Sequence, residues 1–437
     1  MKIKGFRWII IGLIFLATVI NYIDRSALSI MWPGENGIAA DLGLDKSDYG
    51  LLLNVFMVAY ALGQLLSGKL FDKIGTRIGY VLAIGGWGLA TFFHSAARGF
   101  MSLALVRILL GTTEAANWPG AVKSNAEWFP VKERAIAQGL FNAGASIGSV
   151  IAPPLVAVLF AAFGWRTTFM FVGALAMLWI VPWWLINKAG PKSHPWMTEE
   201  ERDYIISGQP EENENDNEDD DEQGLSWGQL LRFKETWAIL AGRFFLEPIW
   251  WFFVGWMPLY LAEVYGFNVK ELGMFLWFPY VGAALGSIFG GIVSGKIIER
   301  TKSIGKGRKA TVAIGSLIMF VGLICSVAFK HDEYSFMAIV FCVLFGFQFA
   351  IGNIQTLPGD FFNGKSVGSL AGMGGMVGVF SVIILNFVVP KIAEVSYTPI
   401  FIMIGIFVPL GVAAVFFFGG NISQVSKQRL DKVTDKK

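Results

Sequence analysis

Four residues have the chemistry to do work in an apolar setting: the adjacent Asp24 and Arg25, and Arg107 with Glu114, seven positions apart. All four lie within long hydrophobic runs. An ionised side chain at mid-bilayer costs roughly 2.5–3.5 kcal/mol, so four together approach a whole domain's net stability of ~5–15 kcal/mol. Groups this costly persist when they pair or face water, and they mark pathways. Arginine keeps its charge and forks onto a carboxylate with two parallel N–H donors. Arg25 and Arg107 are therefore candidate ligands for the carboxylate of a small organic anion. A carboxyl removed from water can hold a proton and release it when water returns. That makes Asp24 and Glu114 the candidate proton carriers. Seven residues are two helical turns, which puts Arg107 and Glu114 on one face about 10 Å apart along the axis. One central cavity can hold all four groups.

Polar and aromatic side chains complete such a pocket. Tyr22 precedes Arg25 by three residues and shares its face, while Tyr60 and Asn142 sit in the middle of later runs. Asn353 and Gln355 interrupt a run in the second half of the chain. Arg243 and Glu247, four apart and followed by Pro248, read as a structural bridge within one helix.

The elements that must position these groups are membrane helices. The chain has 437 residues, of which 54% are hydrophobic and only 16% charged, whereas soluble domains average about 25% charged. A helix needs about 20 apolar residues to cross the hydrocarbon core. Twelve runs qualify: 8–30, 48–70, 78–97, 100–122, 134–161, 165–187, 235–262, 272–298, 309–329, 334–357, 366–390 and 396–419. The expected fold is all-α, with twelve transmembrane helices in two six-helix bundles, 1–187 and 235–420. A linker over 188–234 joins them, and a basic tail covers 421–437. Lys and Arg concentrate in alternate short loops, which places both termini and the linker on the cytoplasmic side. The acidic run Glu211–Glu222 within the linker reads as a solvated tether.

The two halves repeat. Ser67-Gly68-Lys69-Leu70-Phe71-Asp72-Lys73 ends the second run, and Ser294-Gly295-Lys296-Ile297-Ile298-Glu299-Arg300 ends the eighth. Parallel repeats of this kind suit a central site between two bundles that rock against each other. The first copy continues to Gly75 and Arg77. In this stretch glycine allows close helix packing, and the acid and bases can latch the cytoplasmic helix ends. Gly68, Asp72 and Arg77 are thus the gating candidates.

Other chemistry lacks support. His94, His194 and His331 have no ligand spacing, Cys325 and Cys342 lie in separate apolar runs, and neither set forms a metal motif. No Ser-His-Asp set or Gly-rich phosphate loop points to an enzyme. A net charge of +2 gives no basis for nucleic-acid binding. No metal or cofactor is expected, and neither is a partner beyond protons, the organic anion and the lipid bilayer. The chain is expected to act as a monomer. A membrane sensor that binds an anion without moving it is the competing class, and the sequence offers no sizeable soluble signalling domain for it.

The stretch from Gly68 to Arg77 resembles the loop signature of the major facilitator superfamily. Asn21-Tyr22-Ile23-Asp24-Arg25, with Arg107 and Glu114, resembles the anion:cation symporter family within it. Hexuronate transporters are the most similar branch. That resemblance rests on Ser124-Asn125-Ala126-Glu127-Trp128-Phe129-Pro130-Val131-Lys132-Glu133-Arg134, on Phe141-Asn142 and on Thr198–Ile206. It continues in Arg243-Phe244, Glu247-Pro248 and Val264–Glu271. The resemblance implies proton-coupled import of a sugar acid. It also implies Arg25 and Arg107 as anion ligands and Asp24 and Glu114 as proton sites. An acid before the helix-1 arginine, here Asp24, is a feature of aldonate carriers, so galactonate-like cargo is the alternative. Organic-anion exchange is a further alternative, one that needs the basic ligands but no titrating acids. The outer loops lack Asn-x-Ser/Thr sites, which favours a bacterial cytoplasmic membrane over an animal vesicle.

Overall fold

The computed structural model describes residues 2–130, 133–207, 225–328, 332–362, 365–423 and 425. The acidic run of the linker lies outside these residues. So do the side-chain environments of the pocket candidate Asn142 and the gating candidates Gly68 and Asp72.

Apolar composition leaves the backbone one economical solution, the α-helix, because its N–H and C=O groups are satisfied within the segment. In chain order the helices are α1 (Phe6–Met31), α2 (Ile38–Leu42), α3 (Lys46–His94), α4 (Phe100–Glu114), α5 (Asn117–Trp128) and α6 (Arg134–Ile186). The linker region contributes α7 (Glu199–Ser207) and α8 (Trp227–Leu230). Then follow α9 (Lys234–Gly255), α10 (Met257–Tyr265), α11 (Val269–Phe275), α12 (Trp277–Thr301) and α13 (Ile304–Ala328). The last are α14 (Glu333–Gln355), α15 (Leu357–Phe361), α16 (Lys365–Ala393) and α17 (Thr398–Gly419). Among the described residues the one β feature is an isolated bridge between Ile3 and Met197.

Eight helical stretches are long and apolar enough to span a bilayer by length and composition alone. The remaining passes are the two arms of α3, the second arm of α6 and the α4–α5 pair, which together give the twelve-helix fold. Two connections are shorter than the hydropathy reading suggests. Gly75, at φ 76° and ψ 167°, turns α3 back, and Gly164, at φ 74° and ψ 172°, does the same in α6. Glycine reaches this backbone region readily, whereas a side chain there is strained.

The chain forms two compact units. The first comprises Met1–Asn215 with Pro258–Trp277, and the second Asp216–Met257 with Phe278–Lys437. The sequence assigns 258–277 to the second bundle, yet this segment packs with the first unit. Lys46 Nζ and Glu263 Oε2 are 2.7 Å apart, and a Cβ on Gly273 would come within 2.3 Å of Ala157 Cβ.

In the first unit, the start of α1 is tied to the segment after α6. Glu201 accepts from the amides of Phe6 (2.9 Å) and Arg7 (3.2 Å) and pairs with the Arg7 guanidinium at 2.8 Å. Nearby, His194 is fully buried, stacked on Phe6 at 4.2 Å and set edge-on to Trp128 and Trp196. Its Nε2 lies 2.9 Å from the Ile186 carbonyl, and its Nδ1 accepts the Trp196 amide at 3.3 Å. Burial holds the imidazole below its ordinary pKa, with Lys188 and Arg202 adding to the effect. A proton on His194 therefore favours the unfolded chain. The stability this residue contributes is present above about pH 6.5 and is lost as pH falls through the lower folded-state value. Thermal unfolding in detergent should show an acid-side loss of Tm that is smaller in His194→Phe. An identical pH profile in the variant would remove His194 as its source.

Candidate anion and proton site

Close packing brings α4 between the two arms of α3. A Cβ on Gly111 would sit 2.5 Å from the Phe56 carbonyl, one on Gly63 2.5 Å from the Thr112 carbonyl, and one on Gly86 2.5 Å from Thr113 Cγ2. Small residues permit such approaches between membrane helices. They bracket the stretch from Arg107 to Glu114. α4 then ends at Glu114, and α5 restarts at Asn117.

The structure brings the four predicted charges together in one unit, and the ion pair it forms among them runs between helices. Glu114 does not pair with Arg107 on its own helix. Its Oε2 accepts from Arg25 Nε (3.3 Å) and Nη2 (3.2 Å) across from α1. Both residues are buried, and Glu114 Oε1 has no hydrogen-bond partner. The Arg25 guanidinium is boxed by aromatic rings, with Tyr22, Phe56 and Tyr60 centroids 5.0, 5.5 and 4.9 Å away. Each such contact stabilises the cation by about 0.5–2 kcal/mol.

Arg107 is 2% exposed. Its guanidinium lies 5.6 Å from the centroid of the same Phe56 ring. Its Nε lacks a partner, and among the described residues Arg107 forms no ion pair. A buried cation without a paired acid is unusual, because burial strips its hydration. Asp24 presents the opposite case. It is 1% exposed, and neither carboxyl oxygen accepts a hydrogen bond. It neighbours Thr91 on the second arm of α3 and interacts electrostatically with Glu114. Asn21 and Asn54, also buried, have both amide atoms unpartnered. Buried polar groups are mostly satisfied in folded proteins, so this concentration of unsatisfied atoms marks α1, α3 and α4 as the polar heart of the unit.

Three contributors escape sequence reading. Phe56 touches both guanidiniums but is one of 38 phenylalanines, and its only signal is its place one turn before Tyr60. Thr91 and His94 are buried on the second arm of α3, and His94 interacts electrostatically with Arg107.

Other candidates sit elsewhere. Arg77 donates to the Lys188 (3.0 Å) and Trp184 (3.3 Å) carbonyls and stacks on Trp184, so its guanidinium is anchored within the first unit. In the second unit, Arg243 and Glu247 form the expected i,i+4 bridge at 2.7 Å. Asn353 is buried and accepts from Arg308 (3.2 Å), which pairs with Asp360 at 2.9 Å. Gln355 is exposed at the end of α14. No group of three or more His, Cys, Asp or Glu positioned to hold a metal exists among the described residues.

Comparison with known proteins gives this arrangement its context. The sequence profile of the Major Facilitator Superfamily matches residues 14–386. The hexuronate transporter of Escherichia coli K12 is 34% identical over 95% of this chain and 94% of its own length. The galacturonate transporter of Dickeya chrysanthemi is 36% identical over 73% of this chain and 90% of its own. A probable galactarate/D-glucarate transporter of Escherichia coli K12 is 28% identical over 96% and 94%. Among solved structures, a bacterial homologue of the human lysosomal transporter Spinster superposes with a TM-score of 0.72 at 18% identity. It covers 95% of this chain and 97% of that one, which shows the shared fold.

Proposed function

This chain belongs to the Major Facilitator Superfamily and is a multi-pass membrane protein, and from that membership we propose that it imports a sugar-acid anion by proton symport with alternating access. A hexuronate is the first cargo and an aldonate the alternative. The observation that carries the proposal is Arg107, a buried guanidinium with no acid partner among the described residues. Such a group is held in place for an anion that arrives from outside the protein. The similarity to hexuronate and galacturonate transporters supports a sugar acid as that anion.

The roles follow from local chemistry. Arg107 forks onto the cargo carboxylate. Asp24, buried and unbonded, takes up a proton. Glu114 is the second proton site, and a proton there loosens its hold on Arg25, which then turns to the cargo. Tyr22 and Tyr60 flank that guanidinium. Coupling has an energetic motive, because importing a monovalent anion against an inside-negative potential costs about 2.3 kcal/mol per 100 mV. One proton cancels that charge. The working location is the bacterial cytoplasmic membrane, with both termini inside, as the Lys and Arg distribution supports.

The test is uptake by the purified protein in liposomes with an inward proton gradient. Labelled glucuronate, galacturonate or galactonate should accumulate and collapse on addition of a protonophore. Uptake insensitive to the gradient would replace symport with exchange. Binding without uptake would make the protein a sensor, and neither binding nor uptake would end the sugar-acid reading.

A further inference from the structure

Several arginines in this protein are already paired with acids. Arg25 pairs with Glu114 at 3.2 Å, Arg243 with Glu247 at 2.7 Å and Arg308 with Asp360 at 2.9 Å. Arg7 pairs with both Glu133 and Glu201 at 2.8 Å. Arg107, fully buried, forms no ion pair among the described residues. The two arginines of the first unit nevertheless lie close together. Both guanidinium carbons fall within 5.6 Å of the Phe56 ring centroid, so they are no more than about 11 Å apart. Forks this near each other are within reach of the two carboxylates of a six-carbon diacid. What stands in the way is Glu114, whose Oε2 already takes both Arg25 Nε and Nη2.

We propose that the Arg25–Glu114 ion pair is a charge filter, which limits the site to cargo with one carboxylate while Glu114 is ionised. This deepens the sugar-acid reading and rests on it. A monoacid such as galacturonate or galactonate finds one free cation, Arg107, and its charge is matched. An aldarate diacid brings a second carboxylate into the same unit, where Arg25 is occupied and Asp24 and Glu114 are themselves acidic. That second charge is buried without a counter-ion, which costs far more than a matched one. Neutralising Glu114 releases Arg25 and supplies the missing cation. The filter therefore consists of two residues, and its setting depends on the charge of one carboxyl.

Equilibrium competition tests the idea on the full-length purified protein at neutral pH, with labelled galacturonate as the probe. Unlabelled glucuronate and galactonate should displace it at least about tenfold more effectively than galactarate and glucarate. In Glu114→Gln, which keeps the side-chain shape, the gap should narrow to less than about threefold. The double variant Arg25→Gln with Glu114→Gln should restore the gap, since the second cation is then absent. Diacids that compete as well as monoacids in the wild type would overturn the filter. So would a gap that Glu114→Gln leaves unchanged. If Glu114→Gln fails to fold, Glu114→Ala, which also frees Arg25, takes its place with the same expected narrowing. Absence of galacturonate binding in a folded wild-type sample is a different outcome, because it removes the sugar-acid reading itself.

Discussion

Arg107→Ala is expected to abolish the thermal stabilisation that a bound sugar acid confers on the purified protein. Truncating one partner of a buried, hydrogen-bonded charge pair costs about 2–5 kcal/mol, equivalent to roughly 30-fold or more in affinity. The unliganded protein should behave in the opposite way. Arg107 has no acid to leave behind, so Arg107→Met should be neutral or stabilising without ligand, as apolar replacements of buried charges often are. Arg25→Met makes the contrast, because it strands Glu114 as an unpaired buried carboxylate at a cost of about 3–5 kcal/mol. Thermal scans with and without galacturonate separate the two arginines. Full ligand stabilisation in Arg107→Ala would move the anion site elsewhere.

Asp24→Asn should leave binding and anion exchange in place but remove proton-driven accumulation. The amide keeps the shape of the carboxyl and cannot carry the proton. With one proton per anion, a one-unit pH gradient supports about tenfold accumulation of an electroneutral pair. Without the proton, an inside-negative potential drives the anion outward. Liposomes preloaded with unlabelled cargo measure exchange, and empty liposomes with an imposed pH gradient measure accumulation. Wild-type accumulation in Asp24→Asn would remove the residue from coupling.

The fold was legible because it is written in composition and run length, and the bilayer sets a minimum length for each helix. The connections fall where the runs break: Gly75 lies between the runs 48–70 and 78–97 and Gly164 between 134–161 and 165–187, although the structure traces each pair as one continuous element. The site is legible only in part. The cost of charge in an apolar run identifies Asp24, Arg25, Arg107 and Glu114 from the sequence. Which of them touch is decided by how helices pack, here through Gly63, Gly86 and Gly111. Helical spacing puts Arg107 and Glu114 on one face about 10 Å apart, but it does not show that Glu114 contacts Arg25 on another helix. Phe56 was hidden for a different reason, since an aromatic ring in an apolar helix has the same sequence signature whether it packs lipid or guanidinium. The first part of the linker is more tightly packed than its polar composition shows. His194 and Glu201 belong to a packed knot against α1, because their polar atoms find specific partners there.

That knot has a consequence for how the protein is made. The first amides of a helix have no partners within it. In α1 the amides of Phe6 and Arg7 are answered by Glu201, which lies 195 residues beyond Phe6. The first helix to leave the ribosome therefore waits, with its leading turn uncapped, until all six passes of the first half have been synthesised and the chain beyond them has returned. Nascent chains arrested just before Glu201 should leave the start of α1 open to protease, and chains arrested far enough past it for Glu201 to emerge should protect it. The start of this half is closed by a residue of the linker that follows it.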